Sequence, residues 1–221
     1  MRRSLILVFL AVFVFVFSGC GKTVDKYALE NMSEVTQTYF YGEEDFAYAS
    51  LAVGTREKDY LMDGKSSSCV DFSLLSVVFN ENAEASTLFV NVFINDKKTS
   101  IEMEYNSFSG AFMFDLEQKV EENSLIVVET EDVTIHLTNV SKDFGVGWKK
   151  AISIGCENLE NVIKKNISYN NFGAECYLKV MDKKVNEFED FFWCFTILTE
   201  NGESFSVIIS TVDGRVLAKT K

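Results

Sequence analysis

The sequence predicts a mixed α and β protein: an N-terminal antiparallel β-sandwich, immunoglobulin-like in architecture, followed by a small α+β domain with one helix on a three- or four-stranded antiparallel sheet. Three observations predict it. From Asp45 to about Val140, short runs of alternating apolar and polar residues are separated by turn residues at regular intervals, the pattern of a sandwich built from short strands. From Trp148 to Lys165 the apolar period becomes helical, with Trp148, Ile152, Gly155, Cys156, Leu159 and Ile163 on one face. After Ala174 the alternation returns.

The first 19 residues have the form of an export signal. Arg2 and Arg3 supply the positive start, Leu5 to Phe17 is an unbroken apolar run, and Ser18-Gly19 are the small residues of a cleavage site. The run falls short of the roughly 20 apolar residues that cross a bilayer. With Cys20 directly following, Phe17-Ser18-Gly19-Cys20 resembles the lipobox of bacterial lipoproteins. That resemblance implies a diacylglyceryl thioether on the Cys20 sulfur, cleavage before it, and residence on the extracytoplasmic face of the membrane. Residues 20–44 then read as the lipidated cysteine, a short tether over Gly21 to Lys26, and a weakly amphipathic helix over 28–40 on Leu29, Met32, Thr36 and Tyr39. Without proline anywhere in the chain, no stiff stalk lifts the body from the membrane.

The mature chain carries 19 basic against 33 acidic residues, a net charge of −14. Such a surface is repelled by phosphate backbones and anionic headgroups, which argues against nucleic acid as a partner and against direct binding to a membrane surface. The membrane contact expected is the lipid itself.

In the sandwich, residues 45–142, the candidate strands are Phe46–Val53, Val70–Phe79, Ser86–Ile94, Thr99–Tyr105, Ala111–Leu116, Leu125–Glu129 and Val133–Val140, with turns that include Asp63-Gly64 and Asn95-Asp96. The C-terminal domain, residues 143–221, places strands at Ala174–Met181, Phe191–Leu198, Ser204–Ser210 and Val216–Lys219 behind its helix. Asn201-Gly202 predicts a two-residue type I′ hairpin pairing Glu200 with Glu203. That register sets Cys194 opposite Ile209 and, for a loop centred on Val185, opposite Cys176. A Cys176–Cys194 disulfide is then within reach; the alternative is that both are small reduced core residues. The same register turns Tyr177, Trp193, Phe195, Ile197 and Ile208 away from the helix. That apolar face either packs on the sandwich or on the 28–40 segment, or docks a protein or peptide partner.

The stretch Trp193 to Leu217, with Glu200-Asn201-Gly202 and Val212-Asp213-Gly214-Arg215-Val216-Leu217, resembles the end of PepSY-type domains. The resemblance implies an extracytoplasmic helix-plus-antiparallel-sheet module of the kind found in propeptides and lipoproteins, linked to holding peptidases in check. No inhibitory residue carries over.

No catalytic motif is present: no G-x-S-x-G elbow, phosphate-binding glycine loop or H-E-x-x-H. The single histidine, His136, shares its strand face with Thr134 and Thr138. The spacings of Cys69, Cys156, Cys176 and Cys194 match no zinc pattern, and no cofactor is expected. The reading that follows is a membrane-anchored, non-catalytic binding module. A structural subunit of an envelope assembly is the alternative, and a secreted hydrolase built on the abundant carboxylates a more distant one.

Overall fold

The structure, a computed structural model of the chain, describes residues 24–58, 68–80, 85–169, 171–183 and 190–221. The export signal, Cys20, the Asp63-Gly64 turn and Val185 lie outside them. Helix α1 (Val24–Glu30) leads into the longest strand, β1 (Met32–Glu44). Strands β2 (Ala47–Glu57), β3 (Cys69–Phe79), β4 (Thr87–Ile94), β5 (Lys97–Asn106), β6 (Ala111–Asp115), β7 (Ile126–Glu129) and β8 (Thr134–Asn139) follow. A 3-10 turn at Val140–Asp143 precedes helices α2 (Trp148–Asn158) and α3 (Glu160–Lys165). A small hairpin of β9 (Ile167–Ser168) and β10 (Asn171–Phe172) leads to β11 (Ala174–Met181), β12 (Phe192–Thr199), β13 (Ser204–Ser210) and β14 (Val216–Thr220).

The strands join one sheet in the order β14-β13-β12-β11-β1-β2-β3-β6-β5-β4-β7-β8, and β8 returns to pair with β1. The first eight strands therefore close into an antiparallel barrel, and β11 to β14 extend from it as a four-stranded tail. This corrects the expected immunoglobulin-like sandwich followed by a separate α+β domain. Alternation is the same in a sandwich and a barrel; what differs is closure. The closing strand is β1, which the spacing of Leu29, Met32, Thr36 and Tyr39 presents as a helix. Its content of Val35, Thr36, Thr38, Tyr39, Phe40 and Tyr41 is that of a strand.

On one edge β1 pairs with β2 along almost its whole length. On the other it pairs in parallel with β11 from Met32 to Val35, then antiparallel with β8 at Phe40 and Tyr41. The change of partner coincides with a bulge between Thr36 and Thr38, and bulges bend the strand that carries them. Two glycines permit the geometry. A Cβ at Gly54, opposite Thr36, would lie 1.8 Å from the Val35 carbonyl oxygen, and one at Gly42 would lie 2.3 Å from that of His136. Tyr39 N–H, stranded between the two partners, donates to Ser141 Oγ at 3.1 Å on the 3-10 turn.

One face of β1 serves two cores. Met32 and Val35 lie in the core between the tail and the helices, with Ile152, Cys156, Leu178, Phe195 and Val207. Beyond the bulge, Phe40 points into the barrel, among Leu51, Leu75, Val92, Met103, Phe112, Val128 and Ile135. The barrel is filled by these side chains, as an eight-stranded barrel can be.

In the tail, Thr199 N–H donates to Glu203 O at 2.9 Å and Gly202 N–H to Thr199 O at 2.8 Å. Gly202 has φ +77 while Asn201 has negative φ. The loop is thus the three-residue kind, closed by a bulge glycine, in place of the expected type I′ turn, which needs positive φ at both residues. Glu203 N–H also donates to Thr199 Oγ1 at 3.1 Å. The pairing becomes Ile197 with Phe205, Phe195 with Val207 and Trp193 with Ile209. One residue of slip moves every side chain of β12 to the other face.

Trp193, Phe195 and Ile197 consequently face the helices and are buried, which corrects their assignment to an outward surface. Trp193 Nε1 donates to the Val146 carbonyl at 2.7 Å. α2 lies close enough to β12 that a Cβ at Gly155 would meet the Phe195 ring at 2.3 Å. Tyr177 and Ile208 remain on the outer face, half-buried. Cys176 pairs with Ile197, and Cys194 pairs with Lys179 on the opposite face. Of the two alternatives for Cys176 and Cys194, the disulfide is therefore not formed, and both thiols are free.

Two substitutions test this packing. Trp193→Ser removes the largest fully buried side chain and should cost about 3–5 kcal/mol of stability in urea unfolding. Gly54→Val should cost about 2–3 kcal/mol or more, because backbone stands where the side chain must go. Near-neutral effects would contradict the register of β12 and the bend in β1.

Candidate functional site: the cleft at the fork

Where β11 and β8 part company along β1, the end of β11 stands away from the barrel wall and leaves a cleft of about 310 Å³. Its residues follow from alternation. Ala47, Ala49, Leu51 and Val53 fill the barrel, so Tyr48, Ser50 and Ala52 must face outward into the cleft. The same rule brings Leu74, Ser76 and Val78 from β3 and Ala111 and Met113 from β6. Tyr39 comes from β1, and Lys179 to Asp182 from the end of β11 form the opposite wall. The lining is mostly apolar and carries a few hydroxyls, the composition of a binding site for a largely apolar ligand.

Charge gathers at the rim. Lys179 Nζ lies 3.0 Å from Glu34 Oε1, linking β11 to β1. Lys183 Nζ lies 3.1 Å from Glu43 Oε2 and 5.2 Å from the centre of the Tyr41 ring. Tyr41 donates to Glu43 Oε2 at 3.0 Å. At the far end, Arg56 pairs with Asp115 and covers the Phe72 ring at 5.6 Å.

Behind the cleft the aromatic side chains form a chain that binds barrel to tail. Tyr48 contacts Tyr41, Tyr41 and Tyr39 each meet Phe191 edge-on, and Phe191 meets Phe144, which stands edge-on to Trp193. Asp182 is buried at 6 % exposure beside this group. Burial raises Tyr39 and Tyr41 above the ordinary tyrosine range, with the Asp182 carboxylate adding to it; a hydrogen bond with Ser50 opposes the rise at Tyr39. Burial, then Asp182 and Glu43, push Tyr48 up to about 12. At neutral pH all three are protonated phenols, suited to hydrogen bonding and not to acting as phenolate bases.

The remaining sequence candidates lie elsewhere. His136 is exposed on β8, paired with Val127. Cys156 and Cys176 are fully buried, and burial pushes Cys156 up to about 12 and Cys176 well above its usual value. Thiols so held are poor nucleophiles at neutral pH. Among the described residues, no three His, Cys, Asp or Glu side chains gather as a metal site, and no helix is long and apolar enough to cross a membrane. The sequence reading placed no site at the cleft, because its walls meet only once β1 is recognised as a strand.

No protein-family profile, curated protein or solved structure matches the chain.

The tyrosines give a pH test. Their folded pKa values lie above the unfolded value, near 10. The folded state thus holds protons that the unfolded chain releases, so stability is intact below about pH 10 and falls as pH rises toward 12 and beyond. Thermal melts across this range, read beside tyrosinate absorbance, should show the melting temperature dropping before Tyr48 ionises. Ionisation of Tyr48 itself at about pH 10, isolated as the difference from Tyr48→Phe, without loss of fold would contradict the burial of this group.

Proposed function

We propose that the chain is a lipid-anchored, extracytoplasmic, non-catalytic binding protein, and that an apolar peptide segment of a protein partner lodges in the cleft at the fork. The observation that carries this reading is the cleft: about 310 Å³, mostly apolar, with Tyr39, Tyr48 and Ser50 supplying hydroxyls. Its floor crosses β1, β2, β3 and β6. Three strand spacings of about 4.8 Å make roughly 14 Å, the length of about four extended residues. The anchor rests on the lipobox pattern Phe17-Ser18-Gly19-Cys20. The resemblance of Trp193–Leu217 to PepSY-type domains adds support for an extracytoplasmic setting.

Among the described residues the barrel interior is packed with side chains such as Leu51, Met103 and Phe112, and the cleft lies on its outer wall. Photo-crosslinking in native membranes tests the proposal. With p-benzoylphenylalanine at Ser76, in the cleft floor, a discrete protein adduct should form, and Leu74→Arg should abolish it. The same probe at Thr99, exposed on β5, should give none. Identical adducts from both positions, or none from Ser76, would overturn the assignment.

A further inference from the structure

A second surface stands beside the first turn of α2, at the end of the tail strands marked by Val180, Trp193 and Ser210. α1 packs along α2 and on to α3, and its second residue, Asp25, accepts a hydrogen bond from Ser153 Oγ at 3.3 Å. α1 therefore runs in the same direction as α2, and its first residue, Val24, lies on the side of the first turn of α2. Ser153 lies five residues beyond Trp148, about 7.5 Å along the helix. Cys20 lies four residues before Val24, a reach of up to about 14 Å. An anchor on Cys20 thus falls within range of Trp148, Lys149 and Lys150.

This end has the composition of a membrane-interface contact. Trp148 is half-buried, and Lys149 and Lys150 are exposed. The turn bearing Val212 is fastened beside it: Val146 N–H donates to Thr211 O at 2.9 Å. Ile154 packs near Gly214 in the same turn. Val212 is 62 % exposed, and Arg215 follows it at the surface. An indole, an exposed aliphatic side chain and lysines close by are what settles at the headgroup level of a bilayer. Lys149 and Lys150 stand exposed here, while Lys26 pairs with Glu30 at 4.0 Å and Arg215 with Asp213 at 3.9 Å.

The charge of the whole chain is partitioned to suit. Residues 32–142, which contain the barrel, hold 7 basic and 20 acidic residues, net −13, whereas residues 143–221 hold 10 and 11, net −1. The repulsion expected of an acidic protein at anionic lipid therefore belongs to the barrel, and the tail is nearly neutral.

Resting on the reading of Cys20 as the anchor, we infer that the Trp148–Lys150 turn and the Val212 turn beside it seat on the anionic bilayer that holds the lipid. The test uses full-length lipidated protein in vesicles of phosphatidylcholine and phosphatidylglycerol, about 3:1, with and without acyl-brominated lipid. Trp148 and Trp193 are the two tryptophans, and Trp193 is 1 % exposed, so lipid quenching reports on Trp148. Emission should fall by about a third to a half in brominated vesicles. Trp148→Phe should abolish the quenching, and Lys149→Glu with Lys150→Glu should weaken it at least about twofold while the protein still floats with vesicles. Wild-type protein that floats but is not quenched would overturn the inference and leave the anchor standing. Flotation that persists undiminished in Cys20→Ser would instead overturn the anchor.

Discussion

The structure depends on one strand having two partners on the same edge. β1 gives Met32 to Val35 to β11 and Phe40 and Tyr41 to β8, and each pairing completes a different object. The second closes the barrel, removing the sheet edges that would otherwise be open to other chains. The first attaches the tail, making a twelve-stranded sheet of which one part is rolled and the other covered by helices. The bulge at Thr36–Thr38 and the absent side chains of Gly54 and Gly42 make the exchange sterically possible.

The same exchange produces the cleft. Two strands that leave a common neighbour in different directions must open a gap, and the outer wall of the barrel becomes its floor. The aromatic chain from Tyr48 through Tyr41, Phe191 and Phe144 to Trp193 stiffens the join. Barrel and tail therefore hold the cleft between them as fixed walls, which would lower the ordering cost of the binding proposed for it.

Much of this was legible in the sequence. The strands expected from alternation between Phe46 and Val140 correspond to β2 to β8, and Asn95-Asp96 turns with positive φ at both residues. The strands Ala174–Met181 and Ser204–Ser210 match β11 and β13 end to end. Two local ambiguities hid the rest. Residues 28–40 satisfy a helical spacing by coincidence, while their β-branched and aromatic side chains argue for a strand, and reading them as helix removes the strand that closes the barrel. At Asn201-Gly202 the dipeptide suits two hairpin loops that differ by one residue. The alternation of β12 itself, with Trp193 and Phe195 larger and more apolar than Cys194 and Thr196, already favoured the register observed. Turn chemistry should yield to side-chain pattern where a buried face is at stake. The cleft and the surface around the first turn of α2 both draw on elements distant in sequence, which periodicity does not reach.

If β1 couples the barrel to the tail, the two should open together. Native-state hydrogen exchange measures this directly. The amides of Leu51 and Val128 in the barrel and of Phe195 and Val207 in the tail should share one opening free energy and respond equally to added urea. Barrel amides that stay protected while those of Phe195 and Val207 exchange through a separate, lower-energy opening would show that the tail is merely appended, and would contradict the account.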